Sequence, residues 1–168
     1  MRAGGEEAKK TWAVVALSMC IISSTAGAED DGDATRSQRD ASRFTYARLY
    51  CTPDNQSHFG ALTVELAKQN FAPPAALIYI GGNQQASSVF LGGFEPHWGA
   101  ADLANHLYHP TPAVQFITVV EGAFSITTTD GERRELHPGD MVRLEDVAPC
   151  QGHITVAGDR VGFLLFAR

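Results

Sequence analysis

The chain has 168 residues, of which 44% are hydrophobic and 19% charged, which fits one globular domain and is short for two. Its formal net charge is -6, and no cluster of lysines and arginines is interleaved with aromatic residues. This pattern excludes the electrostatic footprint of a nucleic-acid-binding protein. A small neutral or basic ligand is therefore a better match than a polyanion.

The first 28 residues have the layout of a secretory signal peptide. Basic residues within the first ten positions precede an apolar run at 12–22, and small residues then lead to Ala26-Gly27-Ala28. A run of this length is too short for a membrane span, which needs about 20 apolar residues. We therefore expect cleavage after Ala28, no stable membrane span after processing, and a secreted or periplasmic protein. The alternatives are an uncleaved anchor and a lipoprotein signal ending at Cys20.

Residues 29–42 carry several acidic side chains and show no apolar periodicity. Such a segment cannot bury enough apolar surface to order itself, so it predicts a disordered acidic leader. Regular structure is expected to begin near Phe44. The expected division is thus a signal peptide at 1–28, a leader at 29–42 and one folded domain at 43–168.

Two cysteines, Cys51 and Cys150, remain once the signal peptide is removed. An exported protein meets an oxidising compartment, where these residues either form a disulfide or stay as separate buried thiols. A disulfide would tie the first predicted strand to the loop before His153. Asn55-Gln56-Ser57 is a glycosylation sequon, which matters only in a eukaryotic secretory pathway.

Short apolar or alternating stretches, separated by turn residues, predict an all-β domain. In one of them, Leu62, Val64 and Leu66 alternate with polar residues and are expected to face the core. Asp130-Gly131 is the strongest hairpin signal, with both turn positions expected at positive φ. The predicted strands lie at 44–50, 61–66, 75–80, 88–94, 114–120, 124–129, 132–136, 141–144, 154–156 and 161–166.

The stretch at 95–107 interrupts this pattern with proline, glycine, alanines and two histidines, His97 and His106. It predicts an irregular loop with one helical turn, which is either a lid over a pocket or a plain surface insertion. A domain with so many short strands is best accommodated by a double-sheet jelly roll, which leaves few long exposed edges.

The stretch that begins at His109 resembles the first motif of the cupin superfamily, whose fold is a double-stranded β-helix or jelly-roll barrel. That motif runs His, any residue, His, three or four residues, Glu, six residues and Gly. Counting back from Gly122 places Gln115 at the Glu position. The same count places Thr111 at the second His position and His109 at the first.

The second cupin motif is similar to Gly131 followed by Pro138-Gly139-Asp140 and His153. A group of small single-domain cupins resembles this chain in three further places, Ser57-His58-Phe59, Glu145-Asp146 and Gly152-His153. The resemblance covers residues 75–168 and, more loosely, the chain from Phe44.

The resemblance implies a divalent transition metal, commonly Fe, Mn, Ni, Zn or Cu, held in the family by three histidines and one glutamate. Such donors suit these ions, and a barrel leaves open positions for substrate or oxygen. Here His109, Gln115 and His153 are the candidate metal ligands, with His106 or a water completing the set. Thr111 and Gln115 stand in for an imidazole and a carboxylate, so both changes should weaken a metal site.

Two functional hypotheses from different classes follow from these residues. In the first, the metal is present, and the exported protein is an enzyme of lyase, isomerase or oxygenase type acting on a small organic molecule. In the second, no metal is bound. A pocket of His109, Thr111, Gln115 and His153 then binds a small organic ligand without catalysis, or transfers a proton through a histidine.

Two further expectations concern the surroundings of this pocket. Glu145-Asp146 is the expected carboxylate source near His153, the alternative being a turn or an ion pair with Arg143 or Arg133. The apolar early strands, which in small cupins often pack across a two-fold axis, favour a homodimer.

Overall fold

The computed structural model describes residues 40–168. The predicted signal peptide at 1–28 and most of the leader at 29–42 lie outside the described residues, so both stay predictions. Within 40–168 the elements are, in order, β1 (Arg43–Cys51), β2 (Ser57–Glu65), β3 (Ala67–Gln69), β4 (Ile78–Ile80), β5 (Val89–Phe94), α1 (Ala100–Ala104), β6 (Gln115–Glu121), β7 (Phe124–Thr128), β8 (Arg133–Leu136), β9 (Met141–Leu144), β10 (His153–Ala157) and β11 (Gly162–Ala167).

These strands form two main sheets with the hydrophobic core between them. The six-stranded sheet has the order β2-β1-β9-β6-β11-β5, the three-stranded sheet has the order β10-β7-β8, and β3 pairs only with β4. Among residues 40–168 the ladders do not join into a closed barrel. The domain is therefore all-β, as the strand pattern predicts. The core side chains are Leu49, Phe59, Ile117, Val119, Phe124, Ile126, Leu136, Val142, Leu144, Ala157 and Leu164.

The strands follow from the alternation of side chains along the sequence. In β6, Gln115, Ile117 and Val119 are buried, and the residues between them point to the opposite face of the sheet. Helix α1 has five residues and lies in the irregular stretch at 95–107, where one helical turn is expected. No helix within residues 40–168 is long and apolar enough to cross a membrane.

The core-facing positions predicted for the second strand are wrong. Leu62, Val64 and Leu66 are only half-buried, and none of them belongs to the core cluster. The core positions of β2 are Ser57 and Phe59, which have the opposite parity. Alternation alone could not fix the face, because Val64 of β2 and Leu66, just after the strand, line a groove on the outer side of the sheet instead.

The hairpin at Asp130-Gly131 joins β7 to β8, but its turn differs from the expected one. Within the connection Thr129–Glu132, positive φ occurs at Gly131, with φ 88°, and not at Asp130. The carboxylate of Asp130 accepts hydrogen bonds from Thr128 Oγ1 and from the main-chain nitrogen of Glu132. These bonds stabilise a longer loop with one left-handed glycine in place of the two-residue turn.

Cys51 and Cys150 form a disulfide, with their Cα atoms 5.9 Å apart. The bond joins the end of β1 to the loop before β10 and decides between the two alternatives that the sequence leaves open. In the same loop, Gly152 has φ 94° and packs so closely against the main chain of His109 that a Cβ atom would overlap it. Paired main-chain hydrogen bonds of 3.1 and 3.0 Å then join His109 to His153. The start of β10 is therefore fixed from two sides.

Candidate functional site

Four side chains that the sequence singles out, His109, Thr111, Gln115 and His153, line one cavity. Gln115 begins β6 of the six-stranded sheet, and His153 begins β10 of the three-stranded sheet. His109 and Thr111 precede β6, and isolated bridges pair them with His153 and Val147. The fold thus brings to one place residues that are far apart in the chain.

A buried polar contact joins His153, which lines the cavity, to Asp146, which does not. Nδ1 of His153 lies 2.6 Å from Oδ2 of Asp146, and their side chains are 4% and 0% exposed. A carboxylate only accepts hydrogen bonds, so Nδ1 carries the proton and donates it. Nε2 is then the ring nitrogen that His153 offers to other partners.

The second carboxylate oxygen of Asp146 has an unusual environment. Within residues 40–168, Oδ1 is buried and has no hydrogen-bond partner. A buried polar atom without a partner costs stability, and the hydrogen bond to His153 is the one side-chain hydrogen bond of the Asp146 carboxylate within residues 40–168.

The imidazole of His109 lies beside that of His153, with ring centroids 4.9 Å apart and planes tilted by 54°. Although His109 as a residue is exposed, partial desolvation of its ring, together with the neighbouring His153, lowers the pKa of His109 below its ordinary value of 6.5. His109 is therefore neutral at pH 7. One of its ring nitrogens keeps a lone pair, and the other keeps a proton.

The side chain of Gln115 has a defined orientation. Thr111 Oγ1 lies 3.3 Å from the carbonyl oxygen of Ala113, to which it donates, and 3.0 Å from Nε2 of Gln115, from which it accepts. Both Thr111 and Gln115 are buried. Because Nε2 is used in this way, Oε1 is the atom of the amide that remains for a ligand or a metal.

Aromatic side chains form much of the remaining wall. Phe90, Phe94, Trp98 and Phe166 line the cavity, and the rings of Phe90 and Phe166 are stacked with centroids 4.9 Å apart. Trp98 belongs to the stretch at 95–107, which gives that loop a place at the site. The cavity has a volume of about 210 Å³. It is therefore a small, largely apolar space with a few oriented polar groups.

Other residues considered from the sequence lie elsewhere. His106 is exposed and does not line the cavity, so it is not brought together with the other candidate ligands. Of the predicted carboxylate pair, Asp146 contacts His153, whereas Glu145 forms ion pairs with Arg48 and Arg143. Asp146 is thus the predicted carboxylate near His153, and Glu145 forms the alternative, an ion pair with Arg143.

Sequence reasoning missed the aromatic wall. A signal for it exists, because Phe90 and Phe94 have the same parity in β5, and Phe90 is paired with Phe166 of β11. The same parity in two adjacent strands places these rings on one face of the sheet. What the sequence does not show is that this face meets His153 across the core.

The donor atoms can be compared with what a divalent ion requires. Two neutral imidazoles and an amide oxygen are donors that late first-row ions accept, and a carboxylate on the far nitrogen commonly orients a metal-binding histidine. The set of His109, Gln115 and His153 contains no carboxylate. Within residues 40–168, no three His, Cys, Asp or Glu side chains form a metal-binding group. These residues therefore fit a weakly held ion.

Comparison with models of known protein families finds no match, and comparison with curated proteins finds no match either. The function of the cavity therefore has to follow from its shape and its polar groups.

Proposed function

We propose that this chain is an exported single-domain cupin of jelly-roll architecture whose cavity binds and activates a small organic molecule. Two facing sheets and the convergence of His109, Gln115 and His153 on one cavity support the proposal. The disulfide between Cys51 and Cys150 supports export, since such bonds persist in oxidising compartments.

The observation that carries the proposal is the buried hydrogen bond of 2.6 Å between Asp146 and His153. In acid–base sites, a carboxylate on the far nitrogen holds an imidazole in one tautomer and stabilises the imidazolium that forms when it takes up a proton. Nε2 of His153 is then a base beside an apolar cavity. A ligand with an acidic O–H or C–H group is the matching partner.

The reaction type follows from this arrangement. Nε2 of His153 takes the proton, and the electron pair stays on the ligand as a phenolate or an enolate. His109, whose ring N–H is hydrogen-bonded to the carbonyl of Pro110, leaves its other ring nitrogen as an acceptor for a second polar group of the ligand. Proton abstraction of this kind begins both isomerase and lyase reactions, so these two classes are favoured for an enzyme of this type.

The size of the cavity limits the ligand. An engineered cavity of about 150 Å³ holds one benzene molecule, and this one has about 210 Å³. It accommodates a single six-membered ring with a small substituent, or a short dicarbonyl compound. The stacked pair Phe90–Phe166 favours planar ligands, because aromatic faces stack on one another.

A non-catalytic binding protein is the alternative that uses the same contacts. Nε2 of His153 then accepts a hydrogen bond from the ligand and no proton is transferred. Exchange of solvent deuterium into acetylacetone separates the two cases, because only proton abstraction accelerates the exchange. Acceleration that disappears in His153→Ala identifies catalysis, and binding without acceleration identifies a binding protein.

Metal-assisted chemistry is the second candidate function, and the presence of three donor residues in the lining of one cavity supports it. Nε2 of His153, a ring nitrogen of His109 and Oε1 of Gln115 would hold the divalent ion. When bound, the ion would supply Lewis-acid polarisation of the ligand. Asp146 would keep its role of orienting His153, and Thr111 would keep that of orienting Gln115.

Ligand-observed NMR with phenol, p-cresol and acetylacetone tests the proposed binding site. We expect at least one of these probes to bind wild-type protein and to lose binding in His153→Ala. His137→Ala is the matched control, because His137 is exposed in the turn before β9 and lies outside the cavity lining. Failure of all three probes to bind wild-type protein contradicts the proposed ligand class.

Elemental analysis of the purified protein decides between the two chemical candidates. Stoichiometric metal in wild type that is lost in both His109→Ala and His153→Ala selects metal-assisted chemistry. A protein that takes up no Fe, Mn, Ni, Zn or Cu after reconstitution leaves the acid–base candidate.

A further inference from the structure

A second and larger hollow lies on the outer side of the six-stranded sheet, and we call it the outer groove. Its volume is about 640 Å³, against about 210 Å³ for the cavity that His153 lines. Tyr46 of β1 and Phe116 of β6 line the groove, and their rings meet edge to face with centroids 5.5 Å apart. Both positions alternate with core-facing ones, so the sheet separates the groove from the core.

One wall of the outer groove is held in place by two glycines. Gly81 and Gly82 line the groove together with residues 84–86. A Cβ atom on Gly81 would overlap the carbonyl oxygen of Glu65, and one on Gly82, which has φ 63°, would lie 3.2 Å from Cγ1 of Val64. The chain therefore lies directly on the outer side of β2 at this point. Floor and wall of the groove are supplied by the same chain.

The outer groove meets the smaller cavity at the ends of β6 and β11. Gln115 and Arg168 line both hollows. Ala167 of β11 is paired with Phe116 of β6 in antiparallel register, so the next position, Arg168, lies opposite Gln115. Both strands end at this pair of positions, which we call the junction. A molecule held in the cavity therefore has the outer groove directly beyond the junction.

The charge in the outer groove is confined to the junction. Arg168 is the one charged lining residue of the groove among residues 40–168, and no ion pair within that range engages it. Its guanidinium carbon lies 5.3 Å from the centre of the Phe90 ring, which lines the cavity. An oxygen atom of a ligand therefore belongs at the junction, where a guanidinium donates to it, and an uncharged chain belongs in the rest of the groove.

We propose that the cavity and the outer groove form one elongated binding site for a β-dicarbonyl compound that carries an unbranched alkyl chain. The head lies in the cavity, where it brings an acidic C–H group to the base His153. The carbonyl oxygen nearer the chain accepts a hydrogen bond from Arg168, and the chain lies in the groove. This assignment rests on the proposed function, which supplies the head, and it adds the class of molecule to which the head belongs.

The dimensions of the two hollows agree with this division of the ligand. A cavity of about 210 Å³ holds a short dicarbonyl compound and leaves no room for a long chain beside it. The groove has about three times that volume, and aromatic rings form part of its floor. Each methylene group that passes from water into such a groove increases affinity by about fourfold when it is fully buried.

Other occupants of the outer groove make different predictions. Residues 29–39 contain four acidic and two basic side chains and no large apolar one, so their burial in an apolar groove is unfavourable. A second copy of the chain seated on the groove would exclude an alkyl chain from it. In both cases the affinity for a dicarbonyl compound would not depend on the length of its chain.

Isothermal titration calorimetry of the full chain with acetylacetone and its longer homologue nonane-2,4-dione tests the proposal. We expect the homologue to bind wild type about tenfold or more tightly than acetylacetone, because its chain is buried in the groove. Equal affinities for the two compounds overturn the proposal, whether the groove is closed to the chain or covered by another molecule.

Thr118→Asp places a charge on the floor of the groove and leaves the lining of the cavity unchanged. We expect it to bring the two affinities to within about twofold of each other while the affinity for acetylacetone stays at the wild-type value. Val120→Asp is the matched control, because Val120 lies on the same side of β6 and is 52% exposed but does not line the groove. An equal loss in both variants overturns the proposal, since it shows that the chain adheres to the outer face without entering the groove.

Gln84→Glu makes the same test without altering a strand, because Gln84 lies on the exposed wall of the groove. Asn83→Asp, at the neighbouring exposed position outside the lining, is its control. Circular dichroism verifies that all four variants are folded. A variant pair in which Gln84→Glu and Asn83→Asp both retain the full preference for the longer compound overturns the placement of the chain.

Arg168→Met tests the orientation of the ligand. We expect it to weaken both compounds about tenfold and to leave the ratio of their affinities unchanged, because Arg168 contacts the head and not the chain. Binding of acetylacetone without a gain for nonane-2,4-dione refutes the elongated site and leaves the proposed function standing. Failure of both compounds to bind wild type refutes the β-dicarbonyl head itself, so the two failures are distinguishable.

Discussion

Asp146 is fully buried, and its Oδ2 accepts a hydrogen bond from Nδ1 of His153 at 2.6 Å. The pair lies where the loop after β9 meets the first residue of β10. The loop is held by the disulfide at Cys150 and by the close approach of Gly152 to His109. The position of the His153 imidazole therefore depends on the disulfide and on the close packing of Gly152, and each of these can be tested separately.

Gly152 and Gly139 form a natural pair for measuring the close approach to His109. Both have φ 94°, but a Cβ atom at 152 would overlap His109, whereas one at 139 would meet nothing within 4 Å. Gly139→Ala should cost about 1–2 kcal/mol of unfolding free energy, the strain of a left-handed residue. Gly152→Ala should cost about 3 kcal/mol or more, because the chain must also move. Urea unfolding measures both, and equal costs would contradict the packing described for Gly152.

The disulfide between Cys51 and Cys150 should contribute strongly to stability. It closes a loop with a sequence separation of 99 residues, and a native disulfide in a small domain contributes about 2–5 kcal/mol. Replacing both cysteines by serine should lower the unfolding free energy by that amount, measured in urea at pH 7. Reducing agent should have the same effect on wild type and none on the variant. A wild type that is insensitive to reductant would show that the bond is absent in solution.

The hydrogen bonds of Asp130 should make stability depend on pH. Partial burial of Asp130 opposes ionisation, but hydrogen bonds from Thr128, Glu132 and His58 outweigh it and lower the pKa of Asp130 below 3.8. The folded protein therefore keeps this carboxylate ionised at pH values where the unfolded chain has begun to protonate it. The resulting stabilisation is complete above the unfolded pKa of 3.8 and is lost as the pH falls through the lower folded value.

Asp130→Asn tests this dependence. We expect the variant to be less stable than wild type at pH 7, and the difference to shrink as the pH falls below 3.8. Urea unfolding of both proteins at several pH values provides the measurement. A difference in unfolding free energy that stays constant with pH would show that the effect of the substitution does not come from the ionisation of Asp130.

Gln115→Glu tests whether three side chains of the cavity converge. Two histidines and one carboxylate form a known set for divalent ions, so the variant should bind Ni²⁺ about tenfold or more tightly than wild type. Isothermal titration calorimetry gives both affinities. Gln69→Glu, at an exposed position in β3, is the control for added charge. Unchanged affinity in Gln115→Glu would show that the side chain at this position does not point at the two imidazoles.

The strands were predictable because their signals are local. The period of two in β6 identifies Gln115 as a buried position, and the spacing of His109, Gln115 and Gly122 identifies one edge of the site. The face of Leu62 and Val64 was not predictable, because alternation shows that a strand has an apolar side and does not show what covers it. The result depends on where β2 lies in the sheet, which is a long-range property.

The site was also predictable only in part, because its local signals name candidate residues but do not show which of them meet in the fold. Glu145-Asp146 was a good indication of a carboxylate near His153, but the sequence does not say which of the two turns inward. The fold decides this by placing Glu145 beside Arg48 and Arg143, which leaves Asp146 for His153. The wall formed by Phe94, Trp98 and Phe166 depends on contacts across the core and has no local signal as a set.

The tautomer of His153 tests the central proposal most directly. Nitrogen-15 NMR of histidine side chains distinguishes a protonated ring nitrogen from one with a lone pair. We expect His153 in wild type to be protonated at Nδ1, with an Nε2 resonance that shifts when phenol or acetylacetone is added. Asp146→Asn should lose this preference and bind the probe about 10–100-fold more weakly. A wild-type His153 protonated only at Nε2, or an Nε2 resonance that neither probe moves, would contradict its role as the base of the cavity.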